Sequence, residues 1–121
     1  MPARIVVVLN ESGFADKTVS ALQAQGQDAL ALTDPMTALD LLERAERLEV
    51  LVTCLDFPPG KPNGIALGLM ATSKRPGIRV LFVGPAELQK HADGIGTFLT
   101  SPVTVSQVVE GVSRMLETAP A

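Results

Sequence analysis

The stretch Ile5-Val6-Val7-Val8-Leu9 is an unbroken run of aliphatic side chains, four of them β-branched. Such a run is typical of a strand that is covered on both faces, as in a parallel sheet. Similar short apolar blocks recur along the chain and predict four further strands, at 29–32, 50–54, 79–83 and 97–100. Because parallel strands need crossover connections, the segments between these blocks should hold helices.

The segments between the predicted strands show helical spacing and recognisable helix boundaries. Asp34-Pro35 combines an N-cap residue with a proline at the first helical position. Thr104 and Gln107 have the spacing of a capping box before the last helix. A third helix should follow Asn63-Gly64, and a short fourth helix should begin at Gly84-Pro85.

Five βα units in succession predict an α/β fold. Right-handed crossovers favour a flavodoxin-like, doubly wound parallel sheet of order 2-1-3-4-5 with helices on both faces. We interpret residues 1–121 as a single domain and expect a frayed tail at 118–121.

The composition argues against several classes of function. Ten basic and thirteen acidic side chains give a net charge of −3, so no basic surface can follow a phosphate backbone. Four Phe and no Trp or Tyr leave little to stack on bases or on a flavin. No apolar run approaches the roughly 20 residues that cross a bilayer, and the N-terminus has no signal-peptide pattern. The single cysteine fits a reducing compartment. We therefore expect a cytoplasmic protein that binds neither nucleic acid nor membrane.

The candidate site is expected where the strand order reverses, at the carboxyl ends of the strands. In the predicted sheet this point lies between the first and third strands. The chain leaves these strand ends with the segments Leu9-Asn10-Glu11, Cys54-Leu55-Asp56, Gly84-Pro85 and Ser101-Pro102.

The order of elements and the segment 52–64 resemble the receiver domains of bacterial two-component response regulators, the CheY-like domains of phosphorelay signalling. Pro58 and the pair Asn63-Gly64 match residues that follow the phosphoaccepting aspartate in that family. Phe98 falls at the family's aromatic switch residue, and Pro102 at the proline whose preceding peptide bond is usually cis. The resemblance implies a protein partner, either a histidine kinase or another signalling protein. It also implies an interaction face made of the fourth helix, fifth strand and fifth helix, with a homodimer through the same face.

The residues that perform the family's chemistry are replaced at five positions. The resemblance places Leu9 and Asn10 at the two metal-binding acids, and Cys54 at the phosphoaccepting aspartate. It places Gly84 at a Ser or Thr and Ser101 at a lysine. Phosphoryl transfer onto a carboxylate needs Mg²⁺ held by hard oxygen ligands, whereas Leu9 offers none and Cys54 offers soft sulfur. We therefore expect a degenerate receiver, a pseudo-receiver without metal, cofactor or enzymatic activity. The candidate site is the degenerate phosphoacceptor pocket that the resemblance implies: Leu9, Asn10, Glu11, Cys54, Asp56, Gly84 and Ser101.

Alternatives from three classes stay open. Asp56 could accept a phosphoryl group as a displaced acceptor, or hold a weakly bound Mg²⁺ together with Glu11. The loop Asn10-Glu11-Ser12-Gly13 weakly resembles the phosphate-binding loop of flavodoxins. If it binds a ligand in the same way, the chain is a flavodoxin-like ligand-binding protein. Cys54 could act as a thiol sensor if its surroundings lowered its pKa.

Overall fold

One all-parallel sheet organises the molecule. A computed structural model describes residues 3–45, 47–57 and 63–117. The sheet has the order β2-β1-β3-β4-β5. This order confirms the predicted flavodoxin-like fold and places the reversal between β1 and β3. The strands are β1 (Ile5–Val8), β2 (Ala29–Leu32), β3 (Val50–Cys54), β4 (Arg79–Gly84) and β5 (Thr97–Thr100).

The helices begin where the sequence places them. Asp34 accepts a hydrogen bond from the backbone N–H of Met36 at 3.1 Å. The capping box is reciprocal: the Thr104 N–H donates to Gln107 Oε1 at 2.8 Å, and the Gln107 N–H donates to Thr104 Oγ1 at 3.1 Å. In the described part of the chain the connecting helices are α1 (Ser12–Ala24), α2 (Pro35–Arg44), α3 (Gly64–Lys74), a 3-10 helix (Ala86–Ala92) and α4 (Val105–Glu117).

The fourth connecting helix is of the 3-10 type. It follows Pro85 and ends before Gly94, whose φ is +80°. Ala92 is buried and Leu88 half-buried, and the remaining side chains of the segment are exposed. Short segments with so little inward surface are where 3-10 geometry is common. The predicted fifth helix is accordingly α4.

The two faces of the sheet carry separate helical layers. One apolar cluster packs α1 and α4 against Ile5, Val7 and Val52. The other packs α2, α3 and the 3-10 helix against Val6, Val8 and Phe82. Successive side chains of a strand point to opposite faces, so β1 contributes to both clusters and is fully buried.

Two strand ends differ slightly from the prediction. β1 ends at Val8, although the Leu9 N–H still donates to the carbonyl of Leu32 at 3.2 Å. β4 extends one residue further than predicted, to Gly84. The predictions for Pro58 and for the tail at 118–121 lie outside the described residues. Among the described helices, none has both the length and the apolar character needed to span a membrane.

Candidate functional site

A cleft of about 280 Å³ lies over the carboxyl ends of β1, β3 and β4. The structure brings all seven candidate residues together around it. Six further residues line the cleft besides these seven, and Pro102 among them was predicted for the interaction face. Leu55 and Pro85 stand beside predicted site residues at strand ends, and Phe14 lies in the first turn of α1, so their positions in the sequence indicate them. Among the described residues, the lining consists of Leu9, Asn10, Glu11, Phe14, Cys54, Leu55, Asp56, Val83, Gly84, Pro85, Ser101, Pro102 and Val103.

The Cys54 side chain lies at the end of β3, half-buried in the cleft. Its Sγ donates to the backbone carbonyl of Asp56 at 3.5 Å. Burial raises the pKa of the Cys54 thiol, and the negative charge of Asp56 acts in the same direction. The backbone amide of Asn10 opposes this rise, but the net direction of the pKa is upward. The thiol is therefore neutral at neutral pH, which disfavours a nucleophilic or sensing role.

The Asp56 carbonyl accepts two neutral donors. Besides the thiol of Cys54, the side-chain amide Nδ2 of Asn10 donates to it at 2.8 Å. In the receiver family the residue two positions after the phosphoacceptor lends this carbonyl to the metal, as the resemblance implies. Here an amide N–H points at the same oxygen. This hydrogen bond joins the loop after β1 to the loop after β3.

The region beside Gly84 is filled by apolar side chains. A Cβ atom added at Gly84 would lie 2.9 Å from Leu55 Cδ1 and 3.5 Å from Phe98 Cζ. A serine or threonine at this position would therefore require Leu55 to move. The Gly84 carbonyl accepts a hydrogen bond from the Ser101 N–H at 2.7 Å. The Ser101–Pro102 peptide bond is cis, as the resemblance implies.

The side chains that line the cleft do not fit Mg²⁺. Glu11 and Asp56 provide the carboxylates of the lining, and both are exposed. Leu9 is 4% exposed and has no ligand atom, and the oxygen of Asp56 that could bind a metal already accepts Asn10 and Cys54. Among the residues that the structure describes, no Lys or Arg lines the cleft. In residues 3–45, 47–57 and 63–117, no three His, Cys, Asp or Glu side chains cluster as metal ligands.

Phe98 and Pro102 lie at the side of the cleft. Phe98 is half-buried and packs against the cluster of α2, α3 and the 3-10 helix, and Pro102 is exposed. Beyond them a groove of about 270 Å³ runs between β5 and α4, with the ion pair between Glu110 and Arg114 (2.6 Å) on its wall. We call the surface formed by residues 86–92, 97–100 and 105–117 the β5 face.

Comparison with known proteins identifies the fold. Neither a protein-family model nor a curated protein sequence matches the chain. The CheY-like response regulator receiver domain protein from Methanospirillum hungatei JF-1 has a TM-score of 0.83 and 19% identity, over 97% of this chain and 95% of that one. The receiver domain of the hybrid histidine kinase CckA has a TM-score of 0.77 and 23% identity, over 94% of this chain and 99% of that one.

The same fold also occurs as part of a longer protein. NtrX from Brucella abortus matches with a TM-score of 0.83 and 19% identity, over 98% of this chain but 28% of its own length. At these identities the likeness concerns the fold. The chain thus has the fold of CheY-like response regulator receiver domains.

Proposed function

We propose that this protein is a cytoplasmic pseudo-receiver: a signalling protein of receiver fold that binds no Mg²⁺, accepts no phosphoryl group, has no enzymatic activity and acts through contacts with other proteins. One observation carries the proposal. The carbonyl of Asp56, which a receiver would direct to its metal, is held by the amide of Asn10 and the thiol of Cys54.

The electrostatics of the cleft support this proposal. Transfer of a phosphoryl group brings negative charge that a metal ion and a nearby cation must stabilise. The described part of the lining offers no cation, and the carboxylates of Glu11 and Asp56 would repel the incoming group. A receiver that lost only its acids would keep an unpaired buried lysine, at a cost of about 3–5 kcal/mol. With Ser101 in that place, this cost does not arise.

The proposed partner is a histidine kinase or another signalling protein. One neighbour of similar fold is the receiver domain of a hybrid histidine kinase. We place the contact on the β5 face, because it combines the apolar Leu99 in its groove with charges of both signs from Glu110 and Arg114. Mixed apolar and polar composition is usual for interfaces that form and dissociate.

Phosphorylation is tested by incubating the protein with Mg²⁺ and acetyl phosphate and measuring its intact mass. We expect no stoichiometric gain of a phosphoryl group, and no binding of beryllofluoride with Mg²⁺. A receiver domain that is labelled under these conditions controls for the reagents. A gain of one phosphoryl group would refute the proposal. Peptide mapping together with Asp56→Asn would then show whether Asp56 is a displaced acceptor.

The interaction face is tested with two substitutions of the same kind. Thr100→Glu introduces a charge at an exposed position of β5, and Ser20→Glu introduces it at an exposed position of α1. A specific partner captured from native extract should bind the wild type and Ser20→Glu equally, and Thr100→Glu less. Equal capture by all three proteins would exclude the β5 face.

A further inference from the structure

The outer surface of α3 is unusual because it exposes apolar side chains and, before Lys74, no charged side chain. Residues 63–73 contain no ionisable side chain. Leu67, Gly68 and Ala71 face the sheet and are buried. Leu69 points the other way and is 51% exposed, and Ala66 and Met70 beside it are partly exposed. A surface helix normally presents polar residues on its outer face.

The neighbouring helix continues this apolar surface. Met36 of α2 is 53% exposed, and among the described residues it and Leu69 are the exposed large hydrophobic side chains. Met36 precedes Glu43 by seven residues, two helical turns, so both lie on the same side of α2. Glu43 forms an ion pair with Lys74 of α3 at 2.5 Å, which shows that this side faces α3. Met36 therefore borders the α3 surface, and we call Met36, Ala66, Leu69 and Met70 the α2–α3 patch.

The charges around the patch are already paired. Glu43 is paired with Lys74 across the two helices, and Asp40 with Arg44 along α2. The patch is thus an uncharged centre with acids and bases together at its edge. Depletion of charge and enrichment in Met at the centre are features of protein interfaces. A partner whose charges are all of one sign would be repelled by part of this edge.

We propose that the α2–α3 patch is the contact surface of a homodimer, in which the patch of one copy covers the patch of a second. A two-fold contact brings the same surface of both copies together, so the patch must be able to pack against an identical patch without repulsion. This patch places no like charges against each other at its centre. At its edge, Asp40 and Glu43 of one copy can meet Arg44 and Lys74 of the other. This proposal is independent of the function proposed for the cleft.

Sedimentation velocity over a range of protein concentrations tests the dimer. We expect the wild type to shift with concentration from 12.7 kDa to twice that mass. Leu69→Glu places two like charges in the contact and should weaken association about a hundredfold or more. Met36→Glu should also weaken it, which would show that both helices take part. Ser20→Glu, an exposed position of α1, is the matched control and should dimerise like the wild type.

Three results of the sedimentation experiment would contradict the proposal. Leu69 and Met36 are both more than half exposed, so their variants should fold, and far-UV circular dichroism checks this. A wild type that stays monomeric up to about 1 mM has no such interface. A dimer that survives both Leu69→Glu and Met36→Glu uses another surface. A dimer that only Thr100→Glu dissociates assigns self-association to the β5 face.

Discussion

Replacing Gly64 with alanine should destabilise the protein by about 2–3 kcal/mol, although glycine is a poor residue for a helix. A Cβ atom at Gly64 would lie 1.9 Å from the carbonyl oxygen of Cys54 and 2.9 Å from the Cα atom of Leu55. These are backbone atoms, so no change of rotamer can relieve the clash. The start of α3 must then move away from the end of β3, where the Gly64 N–H now donates to the carbonyl of Leu55 at 3.1 Å.

Gly13 offers a matched control. It too lies in the first turn of a helix, α1, but a Cβ atom there would have no heavy atom within 4 Å. Gly13→Ala should therefore stabilise the protein by about 0.4–1 kcal/mol, because it restricts the unfolded chain. The same substitution thus has opposite signs at two helix starts, and only the contact with β3 distinguishes them.

Urea unfolding followed by circular dichroism measures both changes. With a slope of about 1.5 kcal/mol/M, Gly64→Ala should lower the midpoint by about 1.3–2 M and Gly13→Ala should raise it by about 0.3–0.7 M. The total stability of a domain this size is about 5–15 kcal/mol, so the Gly64 variant should still fold. If Gly64→Ala lowers the free energy of unfolding by less than about 0.5 kcal/mol, the start of α3 does not lie as close to the backbone of Cys54 and Leu55 as we describe.

Three further predictions concern ionisable and reactive groups. Because burial raises the pKa of the Cys54 thiol, its alkylation should reach half-maximal rate at a higher pH than that of a free cysteine; a lower pH would favour a thiol sensor. Cys54→Asp should remain unlabelled by acetyl phosphate with Mg²⁺, since Leu9 still supplies no metal ligand; stoichiometric labelling would show that one carboxylate suffices. The hydrogen bond and charge of Lys74 lower the pKa of the Glu43 carboxyl. A lowered pKa stabilises the fold above the ordinary glutamate value and loses that effect as the pH falls through the folded-state value. The difference in melting temperature between the wild type and Lys74→Met should therefore be present at neutral pH and shrink as the pH falls below the ordinary glutamate value, and a constant difference would contradict it.

Local sequence signals predicted most of the fold. The run Ile5–Leu9 required cover on both faces, and only a central parallel strand provides it. Asp34 and the capping box at Thr104 fixed helix starts because they act within four residues. The 3-10 geometry after Pro85 was less predictable, since its few inward side chains fit either type of helix.

The sequence indicated which residues line the cleft, but not which contacts these residues make with one another. Because all strands are parallel, their carboxyl ends lie at one edge of the sheet, and the cleft opens where the strand order reverses. The hydrogen bond from Asn10 to the Asp56 carbonyl spans 46 residues and depends on the rotamer of one amide. Likewise, the approach of Leu55 to Gly84 depends on a side chain that the sequence marks only as apolar. Such contacts follow from three-dimensional structure alone.

The two proposals together determine how such a protein could be regulated. A ligand changes the population of two conformations only by binding them with different affinity. If the cleft binds neither Mg²⁺ nor a phosphoryl group, neither can shift the β5 face between two states, and partner binding will not depend on a phosphodonor. Self-association through the α2–α3 patch would instead make the assembly respond to protein concentration. Partner binding should then become bivalent above the dimer dissociation constant, and Leu69→Glu should reduce the avidity for an immobilised partner while leaving the affinity of the single site unchanged.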